Sequence, residues 1–364
     1  MSTRDKVASA PRTRAANTLE DVAGRASDDA PPRARPPTIL DLAAAAGVSK
    51  ATASRVLNES PRVADGTRAR VLAAIDDMGF QVNLTARSLR TSRTGLVGVL
   101  VPVISVFGRI VEELDRQLAG VGMSILLTAS RRRQPERDLV AIDMLAGRGV
   151  DALLLAPSHD RDPALVRALA RVRTPIVLLD REVRGLRADA VYVDQGPGMR
   201  GALQSLARDG RSRVGLLTRD GRTRPGREIL ARYRESCREL GLPIEDGLVR
   251  EFDDLDRRTA RDGVDALLEA GADALISTGT MEHTSTVLER LSELRVAVPR
   301  DLGLVVYGYI GGSSIESASL PTVGYPVDPI AQATFRLLES RLNGSTEPPQ
   351  VAVVPNVFIP ARAA

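Results

Sequence analysis

Lys50, Ala51, Thr52, Ser54 and Arg55 crowd into six consecutive positions directly behind Ser49. Short hydroxyl side chains, a lysine and an arginine in that density suit a negatively charged, hydrogen-bonding partner. If a helix starts at Lys50, with Ser49 as its cap, these residues sit at its leading end. There the free N–H groups and the positive end of the helix dipole favour a nearby phosphate. Thr52 and Ser54 can then position a phosphate, while Arg55 is long enough to bond guanine O6 and N7 with two donors. This is the chemistry of reading duplex DNA in the major groove. A small three-helix bundle that packs on another surface would show the same spacing.

The flanking residues predict the elements that would hold such a helix in place. Thr38-Ile39-Leu40-Asp41 has the capping-box form, with an aspartate where glutamate or glutamine is usual, and opens a helix to about Ala46. Gly47-Val48 is a tight turn, and the second helix runs from Lys50 to Asn58. After a loop containing Pro61, a third helix spans about Gly66 to Met78, with Val71, Ile75 and Met78 on one face. Leu42, Ala45, Val48, Ala53 and Val56 supply the complementary apolar surface. Two helices and a glycine turn within Thr38–Asn58 have the compactness of a helix-turn-helix.

The run from Thr38 to Asn58, TILDLAAAAGVSKATASRVLN, resembles the headpiece of the LacI/GalR family of repressors. Val63 to Phe80 is similar to that family's third helix, and Asn83-Leu-Thr-Ala-Arg-Ser-Leu-Arg90 to its hinge helix. The likeness extends from Thr38 to the C-terminus and is strongest over 38–100. It implies a sequence-specific transcriptional regulator, expected to be a repressor, that binds a palindromic operator as a homodimer and answers to a small-molecule effector. Lys50 and Ala51 would occupy the main base-discriminating positions, and Arg55 a base-contacting one. Thr38, Ser49, Thr52, Ser54, Asn58, Asn83, Ala86 and Arg87 join them in the expected DNA-facing set. Leu89 matches the leucine that wedges into the minor groove. Residues 83–90 are too few for a stable isolated helix, so two copies from a dimer would fold on binding. The alternative is an ordinary linker whose leucine rests on the lobe below. Val82 stands where the family usually has proline.

From Gly95 onward the rhythm changes. Strand-like runs (Leu96–Val101, Ser124–Thr128, Ala152–Ala156, Ile176–Asp180, Val191–Val193, Val214–Leu217, Ala274–Ser277, Leu304–Tyr307) alternate with amphipathic helical stretches. Apolar strands separated by helices predict parallel sheets of βαβ units. Some 270 residues of this pattern exceed one sheet, so two similar lobes with a cleft between them are expected. The predicted organisation is a disordered tail over 1–37, the helix-turn-helix over 38–82, a hinge over 83–94, and an effector-binding and dimerisation domain over 95–364. Within that domain, lobe 1 takes about 95–193 and 327–345, and lobe 2 about 194–324 and 346–364. The resemblance implies a periplasmic-binding-protein-like fold, with Ser105, Phe107, Asp180, Arg227 and Tyr309 as candidate effector contacts; core packing is the other reading of Phe107. Three of the family's polar ligand anchors are absent, falling at Gly279-Thr280, at Val306-Tyr-Gly-Tyr309 and at Ile229. The expectation is therefore that the effector is not a typical free monosaccharide, or that none is used. Arg222, Arg224 and Arg227 read as a solvated basic face.

Other chemistries find less support. Gly196-Pro-Gly-Met-Arg-Gly201 matches the dinucleotide-binding pattern G-x-G-x-x-G, follows a predicted strand and has Asp220 at about the right distance. Pro197 stiffens that turn, however, and no nucleophile or acid/base pair converges on it, so neither an enzyme nor a nucleotide cofactor is expected. His159 and His283 lack Cys or His neighbours, which argues against a metal site. Cys237 is the only cysteine and falls mid-helix. No apolar run reaches the roughly 18 residues of a membrane span, and the polar, proline-rich N-terminus lacks a signal-peptide core, so a cytoplasmic location is expected. The net charge of +4 is concentrated at the N-terminal end, where eight basic side chains stand against five acidic ones between residues 38 and 93. A protein of this two-lobed shape that binds small molecules without binding DNA is the runner-up.

Overall fold

The computed structural model describes residues 35, 37–57, 60–80, 93–130, 134–253, 256–310 and 320–361. The chain divides into two compact units, Met1–Asn83 and Leu84–Ala364.

The first unit holds helices α1 (Ile39–Ala45), α2 (Lys50–Leu57) and α3 (Asp65–Met78). The capping box at Thr38 forms as the spacing requires: the Thr38 backbone N–H donates to Asp41 Oδ2 over 2.8 Å, and the Asp41 N–H returns a bond to the Thr38 hydroxyl. The Thr38 hydrogen bonds are the main reason the Asp41 carboxyl lies below its ordinary pKa. Gly47 turns the chain between the two helices with φ 61°, a conformation open to glycine at little cost. Leu42, Ala46, Val56, Val71, Ala74 and Phe80 form the buried core, and Ala53 is fully buried beside them. Ala45, expected inward, is exposed, and Ala46 takes its place in the core; a one-residue step rotates a helix position by about 100°.

The second unit contains two six-stranded sheets. In chain order its elements are β1 (Leu96–Val101), α4 (Ile104–Ala119), β2 (Ser124–Ala129), α5 (Pro135–Gly147), β3 (Ala152–Leu155), α6 (Pro163–Leu169), β4 (Ile176–Leu179) and β5 (Asp189–Asp194). Then come α7 (Gly196–Arg208), β6 (Val214–Arg219), α8 (Arg224–Leu240), β7 (Val249–Phe252), α9 (Arg257–Glu269), β8 (Ala274–Ser277), α10 (Met281–Glu293) and β9 (Gly303–Ile310). Last are β10 (Thr322–Pro326), α11 (Val327–Leu342), β11 (Val351–Pro355) and β12 (Val357–Ile359). The first sheet has the order β11-β5-β4-β3-β1-β2 and is parallel throughout. The second has the order β12-β10-β9-β8-β6-β7, with only β12 antiparallel. β3, β4 and β8 are buried along their whole length, as strands covered on both faces by helices must be.

The C-terminal segment corrects the expected division. Residues 346–364 do not all join the second lobe, because β11 pairs with β5 in the first sheet and only β12 crosses over. The cause is a buried anchor: Arg341 at the end of α11 forks onto the Asp189 carboxylate with bonds of 2.6 and 2.9 Å. Asp189 also accepts the Gln350 N–H over 2.7 Å, which sets the strand beside β5. The chain thus passes between lobes at Gln195, between Pro326 and Val327, and at Asn356. Gln195 and Asn356, both fully buried, are bonded to each other over 3.0 Å.

Candidate functional site

Two surfaces carry the chemistry, one in each unit. On the first, Ser49 caps α2 through a bond from the Thr52 N–H to its hydroxyl over 3.0 Å, and the two hydroxyls lie 2.9 Å apart. Burial of Ala53 and Val56 fixes which face of α2 turns inward. Ser49, Lys50, Ala51 and Arg55 are exposed, and Thr52 and Ser54 are half-buried. The structure therefore brings these six together at one helix end. Thr38 sits at the start of α1, its hydroxyl donating to Asp41 Oδ2 over 2.7 Å. Asn58, Asn83, Ala86, Arg87 and Leu89 lie outside the described residues.

The second surface is a cleft of about 700 Å³ between the two lobes of the second unit. Loops at the C-terminal ends of parallel strands supply much of its lining, including Ser158 and His159 after β3, Asp180 and Arg181 after β4, Asp220 after β6 and Thr278 after β8. Open α/β sheets place ligand sites at these strand ends. Of the candidate effector contacts, Phe107, Asp180 and Tyr309 line the cleft. Phe107 also packs into the core of the first lobe, so both readings of it hold. The side chain of Ser105 lies outside the described atoms. Arg227 is a correction: it is not among the lining residues, because fully buried Asp160 draws its guanidinium to 2.9 Å.

Arg224 and Arg227 together overturn the reading of a solvated basic loop. Arg224, at the start of α8 in the second lobe, places Nη1 2.7 Å from Asp180 Oδ1 and 3.1 Å from the Val193 carbonyl, both in the first lobe. Its guanidinium carbon lies 4.2 Å from the centre of the Tyr192 ring, close enough for a cation–π contact. The Arg224 backbone N–H donates to Asp160 Oδ2 over 2.6 Å. Only Arg222 keeps a solvent-facing role, bonded to Asp220 over 2.7 Å with its side chain 43% exposed. Burial pushes the Asp180 carboxyl above its ordinary pKa, against the pull of Arg224 and the Val193 N–H. Asp180 also adopts φ 50°, a left-handed backbone unusual for a residue with a side chain. Sequence reasoning missed Asp160 and Arg224; their pairing spans 64 residues and two lobes, and periodicity carries no signal for that.

The glycine-rich match at Gly196–Gly201 opens α7, but it is a packing site. A Cβ on Gly198 would come within 2.6 Å of Val323 Cγ1, and one on Gly201 within 2.7 Å of Phe358 Cβ. The Gly198 N–H donates to Asn356 Oδ1 over 2.8 Å, taking up a donor that a phosphate would need. Among the described residues there is no cluster of His, Cys, Asp or Glu suited to a metal ion. No helix among them is long and apolar enough to cross a membrane.

Comparison with known proteins places these surfaces in context. Residues 38–83 match the family described as bacterial regulatory proteins, lacI family, and residues 203–361 a periplasmic binding protein-like domain. An HTH-type transcriptional regulator in the aml 5′ region of Streptomyces limosus is 30% identical over 313 residues, 83% of this chain and 87% of that protein. The structure of the transcriptional regulator CelR in complex with cellobiose is 26% identical, with a TM-score of 0.65 over 90% of this chain and 100% of that one. The crystal structure of the lac repressor dimer bound to operator and the anti-inducer ONPF shares the fold, with a TM-score of 0.76 at 20% identity over 90% of this chain and 98% of that one.

Proposed function

As this chain belongs to the lacI family of bacterial regulatory proteins, it is a DNA-binding transcriptional regulator rather than an enzyme, and we propose that it represses from a palindromic operator in the cytoplasm as a homodimer. The observation that carries the proposal is the exposed leading end of α2, where Ser49, Lys50, Ala51 and Arg55 face solvent while Ala53 and Val56 anchor the opposite face. In this reading Lys50, Ala51 and Arg55 meet base edges, and Ser49, Thr52 and Ser54 position the phosphates. Thr38, Asn58, Asn83, Ala86 and Arg87 are assigned to the same interface, with Leu89 as the minor-groove wedge.

The dimer reading draws support from the first lobe. β2 is the edge of its sheet, and Leu127 on that strand and Val140 and Met144 on α5 are exposed, at 36%, 69% and 37%. An apolar group beside a sheet edge calls for a covering partner, and a second copy of this chain would supply one. The cleft between the lobes is the effector site in this proposal, and its occupancy would shift the balance of lobe arrangements and so the affinity for DNA.

Selection of binding sites from a random duplex pool tests the reading. The wild-type chain should return a palindrome, and Lys50→Gln should return one changed at the same position in both half-sites. Recovery of an identical site by the variant would remove Lys50 from the base-reading set. Recovery of no shared site by either would remove the proposal.

A further inference from the structure

Helix α8 begins without a cap of its own. Thr223 stands at its N-cap position, yet the Thr223 side chain makes no capping bond to the helix. Pro225 follows at the second helical position, where it has no N–H to satisfy. The Arg224 N–H is met from the other lobe, by Asp160 Oδ2 over 2.6 Å. Asp160 lies between β3 and α6, 64 positions away in the chain, and is fully buried. A carboxylate accepting from the first turn of a helix does the work of an N-cap side chain. Its charge also suits the positive end of the helix dipole.

The same carboxylate is bound to α8 a second time. Asp160 Oδ1 accepts from Arg227 Nη1 over 2.9 Å, so the backbone and a side chain of one helical turn close on the two oxygens of one buried acid. Beside it, Arg224 carries its side chain into the first lobe, to Asp180, to the Val193 carbonyl and over the Tyr192 ring. From its own lobe Asp160 accepts the Glu182 N–H, at a longer 3.3 Å. Moving the lobes apart therefore takes the cap from α8 and the guanidinium from Asp160 in one step. A buried carboxylate that loses its cation is costly, and a helix N-terminus left bare frays.

We infer that this junction is a latch in which the first lobe supplies the N-cap of α8, so that separation of the lobes and fraying of the first turn of α8 are a single event. The lobes then exchange between two arrangements instead of sliding through intermediate ones. Any cause of separation is registered as a loss of helical order over residues 224–228. The inference concerns contacts between the lobes and holds whatever the cleft takes as a ligand.

Native-state hydrogen exchange on the full chain tests it, read at the Arg224, Arg227 and Glu228 amides and at Cys237 in the same helix. The Arg224 N–H bonds to the other lobe, whereas the Arg227 N–H bonds locally, to the Thr223 carbonyl over 3.3 Å. In the wild type these first-turn amides should exchange, after correction for intrinsic rates, within about twofold of one another and faster than Cys237. Asp160→Ala should speed them about five- to tenfold, the worth of a helix cap, and leave Cys237 unchanged. Adding Thr223→Asp to that variant supplies a local cap and should return Arg227 and Glu228 to their wild-type protection. An Arg224 amide that opens far more often than Arg227 and Glu228 would overturn the inference, since the contact would then break while the turn stays formed. So would an unchanged first turn in Asp160→Ala, an acceleration spread evenly along α8, or a first turn that Thr223→Asp fails to restore. The wild-type comparison decides the matter even if Asp160→Ala does not fold.

Discussion

Arg224 Nη1 and Asp180 Oδ1, contributed by opposite lobes of the second unit, lie 2.7 Å apart with both side chains largely shielded from solvent. Arg227 and Asp160 make a second such link at 2.9 Å. The two pairs tie the start of α8 to loops that follow strands of the first lobe. In the proposed reading, an effector that changes the lobe arrangement would work against these bonds.

Removing one partner should therefore cost more than a surface ion pair would. Arg224→Met leaves the Asp180 carboxylate buried and uncompensated, and about 3 kcal/mol of stability should be lost. The double variant Arg224→Met, Asp180→Asn should recover a large part of that loss. Denaturant unfolding of the four proteins in a double-mutant cycle measures it. Strictly additive losses would mean that the two side chains are not energetically coupled.

Gly198 makes a second, independent prediction. Gly198→Ala puts a methyl group against Val323 and Asn356. Overpacking of this kind costs roughly 1–3 kcal/mol, and thermal unfolding would detect it. NAD or NADP should not stabilise the wild-type protein, because the Gly198 N–H is already spent on Asn356. A rise in melting temperature with either nucleotide would restore the cofactor reading of this segment.

The cap of α1 should respond to acid. Its Asp41 carboxyl is held below the ordinary value by the Thr38 hydrogen bonds. A carboxylate with a depressed folded-state pKa stabilises the fold above its unfolded pKa of about 3.9, and that contribution is lost as pH falls further. Amide exchange in α1, corrected for the intrinsic pH dependence, should therefore show less protection at pH 3 than at pH 6. Asp41→Asn should flatten the difference. Equal acid sensitivity in the variant would assign the effect to another group.

Cys237 should behave as a reporter of unfolding. It is buried, and burial pushes its thiol pKa up to about 11. A thiol reagent at pH 8 should leave the native chain unmodified and label it fully in denaturant. Rapid labelling of native protein would show that α8 opens locally.

The parts legible in the sequence were those written in local spacing. Thr38 with Asp41, the turn at Gly47 and the cap at Ser49 are three- or four-residue signals, and each forms as read. Strands such as β3 and β4 announced themselves as unbroken apolar runs. What stayed hidden was non-local. Nothing near Val351 says that its strand will pair with β5, since the choice is made by Arg341 reaching Asp189 across 152 positions. Arg224 looked like one of three basic residues in a loop, and only the approach of the other lobe turned it into the partner of Asp180.

The most direct test of the account is an equilibrium titration of the purified chain against its selected palindrome, a single half-site and random duplex, over a range of salt. The account predicts preference for the full palindrome by a factor of about 10³ or more over random duplex, weaker binding to the half-site, and affinity that falls steeply as salt rises. Equal affinity for all three duplexes, with Lys50→Gln and Arg55→Ala indistinguishable from wild type, would contradict it.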